Sequence, residues 1–137
     1  FDWGNPADIN VVEDMIKNNS YDMVAVVHAE TSTGVKNDVK SISELINNQT
    51  ILLVDAVTSL GTIELEVDKW GIDAIYSCSQ KGLSCPPGAS PVSFSGKSIE
   101  KMKNRSNMIP NWYLDMLEII KYWDGIKELI IILLQLI

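Results

Sequence analysis

The stretch Ala74-Ile75-Tyr76-Ser77-Cys78-Ser79-Gln80-Lys81, with Pro86-Pro87-Gly88 close behind it, decides how this chain folds. Residues 74–77 read as a short strand. A lysine at the end of a strand, behind small residues and ahead of a Pro-Pro-Gly turn, is an odd place for a solvated surface charge. Residues on either side show what kind of sheet this strand joins. Upstream, Ile51–Val54 and Met23–Val27 are continuous apolar runs without alternation, the pattern of parallel strands buried on both faces. Downstream, Ala89–Phe94 reads as a fourth strand. Only a tight turn precedes it, so it should return antiparallel.

Helices are expected between the strands. Asp8 is placed to cap a helix with Ile9, Val12 and Ile16 on one face. Lys17 suits its carboxyl end, and Asn18-Asn19-Ser20 stops it. Asp38 should cap a helix carrying Val39, Ile42, Leu45 and Ile46. Ser98 is expected to cap a short basic helix reaching Met102. A long helix is expected from Tyr113 through Leu114, Leu117, Ile120 and Lys121 to Trp123. Glu64–Val67 alternates and reads as a short edge piece. The order implies an α/β fold, a mostly parallel sheet flanked by helices. Ligands of open α/β sheets bind outside the carboxyl ends of the strands. Three such ends carry Thr31, Asp55 and Lys81.

Composition narrows the function classes. The 137 residues suffice for one ordinary domain, and 46% hydrophobic with 21% charged residues is globular. The net charge of -7 and a single arginine, Arg105, argue against a nucleic-acid surface. Cys78 and Cys85 fit neither a disulfide framework nor a metal knuckle, and His28 lies far from both, so no metal site is expected. A reducing, cytoplasmic setting is the default. The apolar run Leu129–Leu134 is too short to span a bilayer, which takes about 20 residues. Read as a helix end, it should be buried against something.

Lys81, Asp55 and Thr31 together suit pyridoxal phosphate. That cofactor needs an amine for its aldehyde, a carboxylate for its pyridine nitrogen, a donor for its ring oxygen and polar groups for its phosphate. Lys81 is the amine, effective as a nucleophile when neutral in a partly desolvated site. Asp55 is the carboxylate and Thr31 the donor, with Gln80 and Ser79 as phosphate contacts. Each residue also has a plainer reading: Lys81 as a surface lysine, Asp55 as a turn or helix cap, Thr31 as a loop residue. His28 reads as a satisfied structural histidine. Trp70, Trp112 and Trp123 read as core or interface aromatics.

At these residues the chain resembles the class V aminotransferases of the fold-type I pyridoxal-phosphate enzymes, most closely the alanine–glyoxylate and serine–pyruvate group. The likeness runs from about Asp2 to Trp123. It includes Asp2-Trp3-Gly4, His28-Ala29-Glu30-Thr31-Ser32-Thr33-Gly34-Val35 and Leu52-Leu53-Val54-Asp55-Ala56-Val57-Thr58-Ser59-Leu60-Gly61. It continues in Gly71-Ile72-Asp73-Ala74 through Lys81 and in Pro86-Pro87-Gly88. The family's pyridine-binding aspartate precedes its Schiff-base lysine by the same interval as Asp55 precedes Lys81.

The resemblance implies that Asp55 pairs with the pyridine nitrogen, Val57 packs on the ring, Thr31 lies near the ring oxygen, Gln80 helps hold the phosphate and Lys81 bonds to the cofactor. Gln80 also separates this group from cysteine desulfurases, which usually have His there. Cys78 stands where Gly is common. The resemblance further implies amino-acid and 2-oxo-acid substrates and a homodimeric parent, with no membrane segment. It implies a phosphate loop and a ring-stacking aromatic before Asp2, and a substrate-binding arginine beyond residue 137. On that reading residues 1–126 are part of a cofactor-binding large domain, inactive alone. The apolar tail 127–137 is expected to be foreign to the family. A related lyase or desulfurase, or a fragment with no catalytic role, are the alternatives.

Overall fold

The structure, a computed structural model, describes residues 1–122 and 130–135. Its centre is a five-stranded sheet built from β1 (Met23–Val27), β4 (Ile51–Asp55), β5 (Ala74–Tyr76), β6 (Ala89–Phe94) and β7 (Ile130–Gln135). The spatial order is β1-β4-β5-β6-β7. A separate two-stranded ribbon pairs β2 (Ala29–Glu30) with β3 (Val35–Lys36). β1, β4 and β5 pair in parallel, and β6 is antiparallel to both β5 and β7. Four of the five strands therefore run one way and β6 alone is reversed, the mostly parallel α/β sheet that the apolar runs imply.

α1 (Ile9–Asn18) and α2 (Val39–Glu44) start where the sequence places them. Asp8 accepts the Asn10 amide at 2.9 Å and Asp38 accepts the Ser41 amide at 3.0 Å. Each bond satisfies an amide that the first helical turn leaves unpaired. Leu52, Val54 and Ile75 meet Val39 and Ile42 of α2 in one buried cluster. Ile9 and Val12 of α1, with Val24 and Val26 of β1, pack against it. Leu52 and Val54 are fully buried, each worth about 1.5–3 kcal/mol of apolar burial. On the other face, Met23, Ala25 and Tyr76 are exposed.

Four sequence expectations are corrected. The basic helix is α3 (Gly96–Lys103), and its cap is Ser95, which accepts the Ser98 amide at 3.2 Å. Ser98 is instead buried, its hydroxyl donating to the Asp73 carbonyl at 2.7 Å. The helix expected from Tyr113 is a 3-10 turn, Trp112–Leu114, followed by α4 (Met116–Tyr122). Asp115 interrupts it in an extended conformation, and Trp123 lies outside the described residues. Ile130–Gln135 is a strand rather than a helix end; it pairs antiparallel with β6 at the edge of the sheet. Glu64–Val67 forms no strand, although Leu65 and Val67 still pack on the core.

α3 lies at the amino ends of the strands. Lys97 reaches the Thr50 carbonyl at 2.8 Å and pairs with the buried Asp73 at 2.6 Å. Asp73 also accepts the Leu52 amide and the Ser95 hydroxyl, so its buried charge is paired and hydrogen-bonded as burial requires. Asp55 and Tyr76 end their strands on the opposite, carboxyl side. Among the described residues no helix is long and apolar enough to cross a membrane.

Candidate functional site

Asp55 is the last residue of β4, and its register partner on β5 is Tyr76, also the last of its strand. The carboxylate is held at both oxygens. Oδ1 accepts the Val57 amide at 2.8 Å, and Oδ2 accepts the Tyr76 hydroxyl at 2.7 Å. The hydroxyl donates to an anion, so losing its proton is opposed. Its pKa is pushed up to about 12, first by that hydrogen bond, then by burial and the nearby charge. Val57 is half-buried beside Asp55.

The main chain on both sides of Asp55 is fixed. Its carbonyl accepts the His28 amide at 2.9 Å, and the Ala56 amide donates to the Tyr76 carbonyl at 2.9 Å. Ser77 then donates its hydroxyl to the Ala56 carbonyl at 2.9 Å. Beyond β5 the chain enters a closed loop. Ser79 is buried at its neck, its hydroxyl donating to the Pro86 carbonyl at 2.7 Å and its amide to the Ala89 carbonyl at 3.0 Å. Ser79 is thus committed to the loop, not to the phosphate contact the sequence suggested. Gln80 and Lys81 follow it and are both exposed.

Gly82 seats the loop against the segment that follows Asp55. A Cβ at Gly82 would collide with the Leu60 carbonyl oxygen and lie 2.8 Å from Thr62 Cγ2. Only a residue without a side chain allows this approach, and it brings Lys81 next to the Asp55–Thr62 segment. None of the ion pairs among the described residues uses Lys81. The desolvation expected around the lysine is missing.

Thr31 lies in the turn after β2, and its hydroxyl meets that of Thr58 at 2.6 Å. One hydroxyl hydrogen lies between the two oxygens and the other stays free to donate, so the pair still offers a donor. Thr58 and Tyr76 are the site neighbours that sequence reasoning missed. No local sequence signal marks Tyr76, because its approach to Asp55 depends on the register of two strands.

His28 is fully buried, edge-on to Trp70 with ring centroids 5.9 Å apart. Both ring nitrogens lack a partner among the described residues, so this histidine is structural but not satisfied, contrary to the sequence reading. Its pKa is pushed down, first by burial and then by Lys36. Trp70 packs on the core, whereas Trp112 is exposed.

The family model for aminotransferase class V matches residues 3–118. The chain belongs to the class V aminotransferases. The chain is 42% identical over 119 residues to the soluble hydrogenase small subunit of Synechococcus sp., covering 83% of this chain and 30% of that one. It is 33% identical over 132 residues to the serine–glyoxylate aminotransferase of Arabidopsis thaliana, covering 89% and 33%. Among solved structures, an alanine–glyoxylate aminotransferase from Nostoc sp. superposes with a TM-score of 0.86 at 44% identity, covering 91% and 33%. The class V chain described here thus spans about a third of the length of these relatives.

Class V aminotransferases depend on pyridoxal phosphate, and the residues present suit that group. A carboxylate with unused lone pairs stands at the end of β4. A lysine that makes no ion pair among the described residues follows β5. A hydroxyl donor stands at the Thr31–Thr58 pair.

Proposed function

We propose that this chain carries the lysine-and-carboxylate part of a pyridoxal-phosphate site. The protein it represents would move an amino group between an amino acid of alanine or serine type and a 2-oxo acid of glyoxylate or pyruvate type. The observation that carries the reading is the placement of Asp55 and Lys81 after adjoining parallel strands, at the family's interval. The bound cofactor would supply an electron-withdrawing ring that stabilises negative charge at the substrate Cα. Asp55 Oδ2 would accept a hydrogen bond from the protonated ring nitrogen and keep it protonated, and Val57 would pack on the ring. The Thr31–Thr58 pair would donate to the ring oxygen, and Gln80 to the phosphate. Lys81 Nζ would bind the cofactor and, once displaced by substrate, move the Cα proton.

Turnover requires more than these residues, because Lys81 is exposed here and the chain spans a third of its relatives. The isolated chain should therefore bind cofactor without measurable transamination. The parent would act as a homodimer.

Borohydride trapping of pyridoxal phosphate followed by peptide mapping tests the site. The expected result is preferential labelling of Lys81, lost in Lys81→Ala and weakened in Asp55→Ala. Labelling spread evenly over the surface lysines would overturn the reading. Alanine formation from cysteine by the parent, in place of amino transfer to glyoxylate, would move it to the desulfurase branch.

A further inference from the structure

We infer that Tyr76 is a positioning residue for Asp55, fixing its carboxylate so that a free lone pair of Oδ2 meets the ring nitrogen of a pyridine cofactor. The inference rests on the cofactor reading above and adds a residue to it. An ionised carboxylate offers about four lone-pair sites on its two oxygens. In this structure Val57 uses one on Oδ1 and Tyr76 uses one on Oδ2. Each oxygen keeps acceptor capacity, and two donors on opposite oxygens stop the group rotating about its last bond.

Tyr76 has little else to do. The residue is 38% exposed on the outward face of the sheet, so burial of apolar area does not by itself explain a large aromatic there. Its hydroxyl reaches Asp55 across one rung of the parallel ladder, a distance fixed by the backbone pairing of the two residues. A shorter side chain on that rung would not span the gap. The donor is also permanent: with its pKa pushed up to about 12, the phenol remains protonated throughout the neutral range. Without it, Asp55 would be held by the Val57 amide alone. A carboxylate free to rotate costs orientation at the moment of binding, which is where preorganisation acts.

The alternative is that the phenol occupies the place of the ring nitrogen and must be expelled. The two arrangements predict opposite signs. If Tyr76 positions Asp55, Tyr76→Phe weakens pyridoxal-phosphate binding to the chain by about tenfold, the scale of one hydrogen bond to a charged group. If the phenol blocks, the same variant binds more tightly. Binding is read from the cofactor's absorbance change on titration, in wild-type chain and in Tyr76→Phe. A cofactor-free arm uses tyrosinate absorbance at high pH. The difference between wild type and Tyr76→Phe isolates the ionisation of Tyr76, expected near 12. Asp55→Asn should bring it down towards the ordinary value of about 10.

Weaker binding in Tyr76→Phe together with that downward shift supports the inference. Equal or tighter binding in Tyr76→Phe, with the wild type binding normally, overturns it and leaves the cofactor reading standing. A tyrosine titration unchanged in Asp55→Asn also overturns it, since the hydrogen bond would then be missing. No binding by the wild-type chain would sink both.

Discussion

At the scale of single residues, His28 couples proton concentration to stability. The buried ring is neutral in the folded chain because burial, and then Lys36, oppose its protonation. Unfolded, it titrates near 6.5. A group whose folded pKa is depressed contributes stability that is intact above the unfolded value and is lost as pH falls below it. Thermal midpoints should therefore decline as pH drops from about 6.5 towards 5, before most carboxylates titrate. His28→Phe keeps an aromatic ring against Trp70 and should flatten that decline; an equal slope in the variant would show that another group is responsible. Ser84 carries a different cost. Its φ of 54° lies in the left-handed region that penalises most side chains by about 1–2 kcal/mol. Ser84→Gly should stabilise the chain by about 0.5–1 kcal/mol in urea unfolding, because glycine adopts that region freely.

At the scale of elements, the lysine loop depends on a glycine that is needed for space rather than for its φ. Gly82→Ala would force its Cβ into the Leu60 carbonyl, and rigid backbone yields poorly. The expected loss is about 1–3 kcal/mol, with Lys81 displaced and its borohydride labelling reduced. Gly96→Ala is the contrast. It starts α3, has open space around its Cβ and should be neutral or slightly stabilising. Equal urea midpoints for the two variants would refute the close-packing argument. The strands β1, β4 and β5 were legible as apolar runs, and β6 as the return after a tight turn, because these signals are local. The caps Asp8 and Asp38 were legible for the same reason. Ser95 and Ser98 both suit a cap by type, and only the buried Asp73 decides between them by claiming the Ser98 hydroxyl for its carbonyl. The run at Ile130–Gln135 carries no period, so its length and composition did not separate strand from helix. The Asp55–Tyr76 bond was invisible because it depends on the register of two parallel strands 21 positions apart.

At the scale of the whole molecule, the two faces of the sheet are unequal, and that inequality predicts where substitutions will be felt. One face meets α1 and α2 through Leu52, Val54 and Ile75; the other leaves Met23, Ala25 and Tyr76 exposed. The candidate site opens on the exposed side, since Asp55 and Tyr76 share a rung there. Leu52→Ala should cost about 2–5 kcal/mol, because the fully buried site cannot refill the lost volume. A domain of ordinary stability, about 5–15 kcal/mol, would lose much of its margin. Ala25→Ser lies two residues from the start of an apolar strand yet faces outward, and should change stability by about 0.5 kcal/mol at most. Met23→Lys should behave similarly in stability and should also lower binding of a hydrophobic dye, because it breaks the exposed apolar surface. Circular dichroism in urea and dye fluorescence read these outcomes directly. Equal destabilisation by Leu52→Ala and Ala25→Ser would mean that both faces are covered in solution. Large for Leu52 and small for Ala25 means that the sheet stands on one packed face, with the side carrying Asp55 and Tyr76 open.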